Sequence, residues 1–211
     1  MRERDADKVL LRSDGVFDLY DLPTLNVSMR RVRPGLDAEA LLPAFREAIA
    51  NVPFVPGIAR IAAAERDEDG TYLVGPAAKG VTFADRIEKL APLSPPVAIA
   101  MIAELVKALG PLHRAGKTHG DLRPEHLLFA TDGSVVLQVP GMTEAFGASR
   151  RLTAEWSSLA RPYLAPELRL DRFPDPASDM FAVGVVFFQL LTGRLPEPDE
   201  SPKAPAAAID A

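Results

Sequence analysis

Cysteine is absent from the 211 residues, which excludes disulfides and thiolate metal sites and points to a reducing compartment, with cytoplasmic placement as the expectation. Basic residues are outnumbered, 24 Lys and Arg against 29 Asp and Glu, and no basic stripe occurs anywhere, so a nucleic-acid partner is not expected. The opening Met-Arg-Glu-Arg-Asp-Ala-Asp-Lys has no apolar core of the kind a signal peptide carries. A long apolar run is also missing: Met180 to Leu191 is interrupted by Gln189 and is too short to span a bilayer, so no membrane insertion is expected. What remains is a soluble globular chain with 47% hydrophobic residues, enough for one sizeable core or two small lobes sharing an interface.

Alternating apolar residues and turn residues from Val9 to Val32 suggest a β-meander: Val9–Leu11, Val16–Tyr20 and Val27–Val32, with a corner at Leu22-Pro23-Thr24. Asp37 reads as a helix N-cap, and Pro43 can open a second helical turn through Ala44–Ala50. A hairpin is expected from Ile58–Ile61 and Thr71–Val74, turned at Asp69-Gly70. Thr82-Phe83-Ala84-Asp85 has the form of a capping box, and Ser94-Pro95 opens a longer helix. Its apolar face is read as Ile99, Ile102, Leu105 (or Val106), Leu109 and Leu112. His113 near its end is read as a hydrogen-bonded structural histidine. A second Asp-Gly hairpin joins Leu127–Ala130 to Val135–Val139.

The stretch His119-Gly120-Asp121-Leu122-Arg123-Pro124-Glu125-His126 resembles the catalytic loop of the eukaryotic-type protein kinases, whose usual form is His-Arg-Asp-Leu-Lys-Pro-Glu-Asn. Ala165-Pro166-Glu167 and Ser178-Asp179 match two later elements of that family at family spacing, and the Ala/Pro/Arg-rich style resembles its bacterial Ser/Thr branch. The resemblance covers about residues 9–196 and implies an α+β, two-lobed kinase-like fold. It divides the chain into a small β-rich N-lobe (1–74), a hinge (75–81), a mainly helical, incomplete C-lobe ending after helix F (82–196) and a Pro/Ala-rich tail or linker (197–211). Met142 to Pro162 then corresponds to the activation segment. With Gly120 in place of the arginine that would read a phosphate there, Ser149, Thr153, Ser157 and Ser158 are read as plain loop residues.

The same resemblance implies which residues would handle ATP. Arg30 stands in place of the third-strand lysine and Glu47 corresponds to the helix-C glutamate that would pair with it. Gly15 is the single glycine of a loop that usually has three, and Asp14 and Asp18 add negative charge there. Pro76 and Ala78 fall in the hinge. His126 replaces the metal-binding asparagine, and Val139 in Val139-Pro140-Gly141 replaces the metal-binding aspartate. Valine offers no lone pair and imidazole is a poor magnesium ligand, so magnesium and a bound cofactor are not expected. Asp121, His119 and Arg123 are then remnants of a catalytic loop, and Asp121 organises the loop instead of acting as a base.

These readings make the chain a degenerate pseudokinase and not an enzyme: a regulatory or scaffolding module that works through a protein partner or self-association, using a helix-F face of Phe181, Val185 and Phe188. The alternatives are a nucleotide-binding switch without catalysis and a divergent ATP-dependent Ser/Thr kinase of weak activity.

Overall fold

The structure, a computed structural model, describes residues 8–13, 17–33, 38–77, 79–141, 145, 160–168 and 173–197. Three strands in a row, β1 (Val9–Ser13), β2 (Phe17–Leu22) and β3 (Val27–Val32), form the expected meander. β5 (Gly70–Pro76) and β4 (Ala63–Asp67) complete an antiparallel sheet in the order β1-β2-β3-β5-β4. The corner at Pro23–Leu25 is a 3₁₀ turn closed by Asn26 in the left-handed region, φ 51°. Helix α1 (Ala38–Asn51) covers one face, burying Leu41, Phe45 and Ala48 against Phe17, Val32, Ile61, Ala64 and Leu73. The Phe17 and Phe45 rings meet at 6.0 Å between centroids. Pro43 lies inside this one continuous helix instead of opening a second turn, and Asp37 lies outside the described residues. At the far edge Arg31 forks onto Asp67 at 2.6 and 2.7 Å, and that hydrogen-bonded pair holds the Asp67 carboxyl below its ordinary range.

The hairpin differs from its sequence reading. Its closing pair is Asp67↔Gly70, so the two central residues are Glu68 and Asp69, and this short turn fixes the register that makes Ala63–Asp67 the paired strand. Ile58 instead forms a parallel bridge to Leu137; Ala59 N–H donates to Leu137 O at 2.8 Å, and Leu137 N–H to Gly57 O at 2.7 Å. The segment before β4 therefore ties the first sheet to the second.

That second sheet is β6 (Gly80–Thr82), β7 (Leu127–Ala130) and β8 (Val135–Leu137), all antiparallel. Around it pack α2 (Phe83–Leu90), α3 (Pro95–Arg114) and α4 (Pro176–Thr192). The capping box at α2 is complete: Asp85 N–H donates to Thr82 Oγ1, and Thr82 N–H to the Asp85 carboxylate. A second box, Asp175 with Ser178, starts α4, and Gly193 at φ 75° ends it. Helix α3 is long and apolar enough to cross a bilayer by length and composition, yet it is the core helix here. Its inward face is Ala98, Met101, Leu105, Ala108, Leu109 and Leu112, while Ile99 is 56% exposed and Val106 lies on the outside. The face is rotated from the sequence reading because small alanines admit close approach of other parts of the chain, as Ala108 does beside Gly57, and a hydrophobicity count undervalues them.

Candidate catalytic loop and interlobe cleft

Asp179, in the first turn of α4, organises the loop. Its buried carboxylate accepts from His119 N–H at 2.8 Å, Gly120 N–H at 3.0 Å and His113 Nε2 at 2.8 Å. A carboxylate only accepts, so His113 carries its proton on Nε2. This is the structural role read for His113. Gly120 sits at φ 77°, a conformation that favours glycine, and presents its N–H to Asp179. The His119 ring is wholly buried, and burial holds it neutral with its pKa pushed down to about 4, against the opposing pull of Asp179.

Asp121, Arg123 and His126 form one buried cluster. Arg123 Nε and Nη2 donate to the two oxygens of Asp121 at 2.8 and 3.1 Å, and the side chains are 2% and 7% exposed. His126 Nδ1 lies 2.8 Å from the Asp121 carbonyl, which can only accept. Its Nε2 lies 3.2 Å from Arg123 Nη2, which can only donate. Both ring nitrogens are thus engaged in the neutral Nδ1–H form, and Arg123 braces the carboxylate and the histidine together.

Against the first sheet, and bounded by Gln138 just after β8, lies a cavity of about 300 Å³, a size that suits a small-molecule ligand. Leu11 and Leu19 form one wall, and the end of β5, Gly75 to Ala77, forms the rim. Ala77 N–H is held by Asn26 O at 3.1 Å, which joins the rim to the β2–β3 corner. Gly75 is required by close approach, since a Cβ there would stand 2.4 Å from Arg60 O. Arg30 reaches into the cavity and donates to Gln138 Oε1. Gln138 was not singled out from sequence; its signal is a lone polar residue ending the apolar run Val135–Leu137. Arg12 Nη2 donates to Thr82 Oγ1 at 3.2 Å, tying β1 to the start of α2.

Several sequence-predicted positions fall differently. Glu47 does not meet Arg30: the buried positions 41, 45 and 48 define the inner face of α1, and Glu47 is on the exposed side. Val139 is 1% exposed, at φ 51°, and its side chain packs into the cluster of Phe17, Leu41 and Phe45 rather than towards the cleft. A β-branched residue in the left-handed region costs about 1–3 kcal/mol, which the burial offsets. Asp18 is not a bare charge, since Ser13 Oγ donates to it and Arg33 lies 3.9 Å away. Pro76 lies on the cavity rim; Gly15 and Ala78, and with them Ser149, Thr153, Ser157 and Ser158, lie outside the described residues. On α4, Phe181 and Phe188 are half-buried, but Val185 is fully buried in the core and cannot belong to an exposed face.

Magnesium does not fit the positions at which the family holds it. Val139 has no donor atom and faces the core. A cation on His126 Nε2 would meet the guanidinium of Arg123, and oxygen, magnesium's preferred ligand, is offered by neither side chain.

Residues 45–210 match the family model described as protein kinase domain. Among curated proteins, the serine/threonine-protein kinase PknL of Mycobacterium tuberculosis is 31% identical over 160 residues, covering 75% of this chain and 40% of that protein. PrkC, a serine/threonine-protein kinase of Bacillus subtilis, is 31% identical over 147 residues, 69% of this chain and 22% of its own. The probable serine/threonine-protein kinase PknB of Lactococcus lactis is 30% identical over 141 residues, 67% of this chain and 22% of its own. This chain therefore spans well under half the length of these relatives. The expectation of a chain that is not an enzyme is corrected by these matches, because model and relatives alike point to a protein kinase enzyme. The replaced residues at 126 and 139 depart from the family's metal-binding pattern, and they do not establish inactivity. With the loop frame, the interlobe cleft and the match over most of its length in agreement, the chain belongs to the protein kinase family.

Proposed function

We propose that the chain is a divergent Ser/Thr-type protein kinase that takes ATP in the cleft beside Arg30 and transfers the γ-phosphoryl group slowly. The observation that carries the reading is Asp121, retained in a loop whose backbone Asp179 pins from two successive N–H groups. In such a transfer the hydroxyl oxygen of a serine or threonine forms the new bond to phosphorus. The bond to the ADP oxygen breaks, and the hydroxyl proton passes to Asp121. Slow turnover follows from the residues present: the catalysis is chiefly positioning and charge neutralisation, and positions 126 and 139 contribute no oxygen ligand. The test is transfer of labelled phosphate from ATP to the chain itself and to a generic Ser/Thr substrate, compared with Asp121→Asn protein shown to be folded by circular dichroism. Transfer that disappears in the variant is expected. Transfer no greater than in the variant would overturn the catalytic assignment.

A second reading, regulation through a protein partner or a second copy, is favoured by α4, where Phe181 and Phe188 lie seven residues apart on one face beside the exposed Met180. Sedimentation velocity tests its self-association arm: a parent that associates and a Phe181→Ser/Phe188→Ser variant that does not would support it, and a monomeric parent would count against it.

A further inference from the structure

The cleft is built for charge of one sign. Arg30, Arg60 and Lys79 line it, and Asp21 is the one acidic residue among the described residues that do so. Arg30 is half-buried and anchored to Gln138, while Arg60 and Lys79 are exposed. Close to the catalytic-loop end, the side chain at 126 that would face a metal is instead hydrogen-bonded to Arg123. A divalent cation brought into the cleft would be repelled by Arg30, Arg60 and Lys79. A polyphosphate would be attracted, and arginine is well suited to phosphate oxygens because its planar fork can donate two hydrogen bonds at once.

We infer that the cleft binds the nucleoside triphosphate in its metal-free form, with Arg30, Arg60 and Lys79 supplying the countercharge that a metal ion supplies elsewhere. The inference rests on the ATP-binding half of the proposed function and adds to it the chemical form of the ligand. A metal-free triphosphate carries more negative charge than its magnesium complex, so a cationic cleft with no oxygen donors at 126 and 139 favours it electrostatically. The preference is strongest at low ionic strength, since Arg60 and Lys79 are exposed to screening.

The experiment is thermal unfolding of the whole chain with ATP plus chelator, ATP plus magnesium, and ATP plus manganese, each against its own nucleotide-free control. Any ligand of the native state raises the melting temperature by mass action. The expected result is a shift with ATP and chelator at least as large as that with either metal. A shift seen only with metal would overturn the inference and leave ATP binding standing; no shift under any condition would overturn both. The variant Arg60→Ala/Lys79→Ala alters two exposed side chains and avoids the part-buried contact of Arg30 with Gln138. It is expected to weaken ATP binding in chelator about fivefold, and affinity unchanged by this substitution would count against the stated countercharge.

Discussion

Loss of the Asp121 carboxylate is expected to lower the stability of the folded chain as well as its chemistry. Both carboxylate oxygens receive Arg123, and both partners are almost wholly buried. In Asp121→Asn one oxygen can still accept, but the new amide N–H groups face a guanidinium that only donates. Removing one partner of a buried pair costs about 3–5 kcal/mol, because a desolvated charge is left without compensation. For a chain of this size each kcal/mol shifts the melting temperature by roughly 2–4 °C, so a fall of about 10 °C is expected. Arg123→Met should cost a similar amount, since it leaves the Asp121 carboxylate buried and also removes the donor to His126 Nε2. The double variant Asp121→Leu/Arg123→Met is expected to recover much of the loss, as an apolar pair of similar volume often replaces a buried ion pair without penalty. Urea unfolding of the parent, both single variants and the double variant gives the coupling energy directly. An Asp121→Asn protein within about 0.5 kcal/mol of the parent would refute the structural role of this pair.

Stability should also depend on His119. Its pKa is about 4 folded against 6.5 unfolded, so the unfolded chain binds the proton more readily. The resulting stabilisation is complete above pH 6.5 and is lost as pH falls towards 4, by about 3 kcal/mol in all; urea midpoints across that range should show the fall, and His119→Leu should flatten it. Thr82→Ala removes the hydroxyl that caps α2 and receives Arg12, and should cost about 1 kcal/mol in urea unfolding. Gly75→Ala places a methyl group against the Arg60 carbonyl, and a destabilisation of about 1–3 kcal/mol is expected in the same assay.

The parts of the fold legible from sequence are those whose determinants are local. The Thr82–Asp85 box, the Asp132-Gly133 turn and the first three strands each rest on residues a few positions apart, and the structure places them as read. The catalytic-like loop was legible because its motif is contiguous. Elements set by distant partners were not. Whether Ile58 pairs in the hairpin or bridges to Leu137 depends on where a second sheet lies, and the two-residue turn leaves no room for it in the hairpin. The inner face of α3 contains alanines whose value comes from close approach of a distant segment, as at Ala108 beside Gly57. Glu47 was assigned from a family pattern, whereas helical phase puts it outside with Leu41, Phe45 and Ala48 inside. Val185, read as surface, is core because α3 packs along α4. The partnership of Arg30 with Gln138 spans 108 positions and leaves only one trace in the sequence, a glutamine after an apolar strand.

The most direct measurement is a crystal structure of the chain with a non-hydrolysable ATP analogue. The expected result is the adenine against the Gly75–Ala77 rim beneath Leu11 and Leu19, with the phosphates towards Arg30. An analogue that at saturating concentration leaves this cleft vacant, or binds only elsewhere, would contradict the assignment of an ATP-dependent kinase site to it.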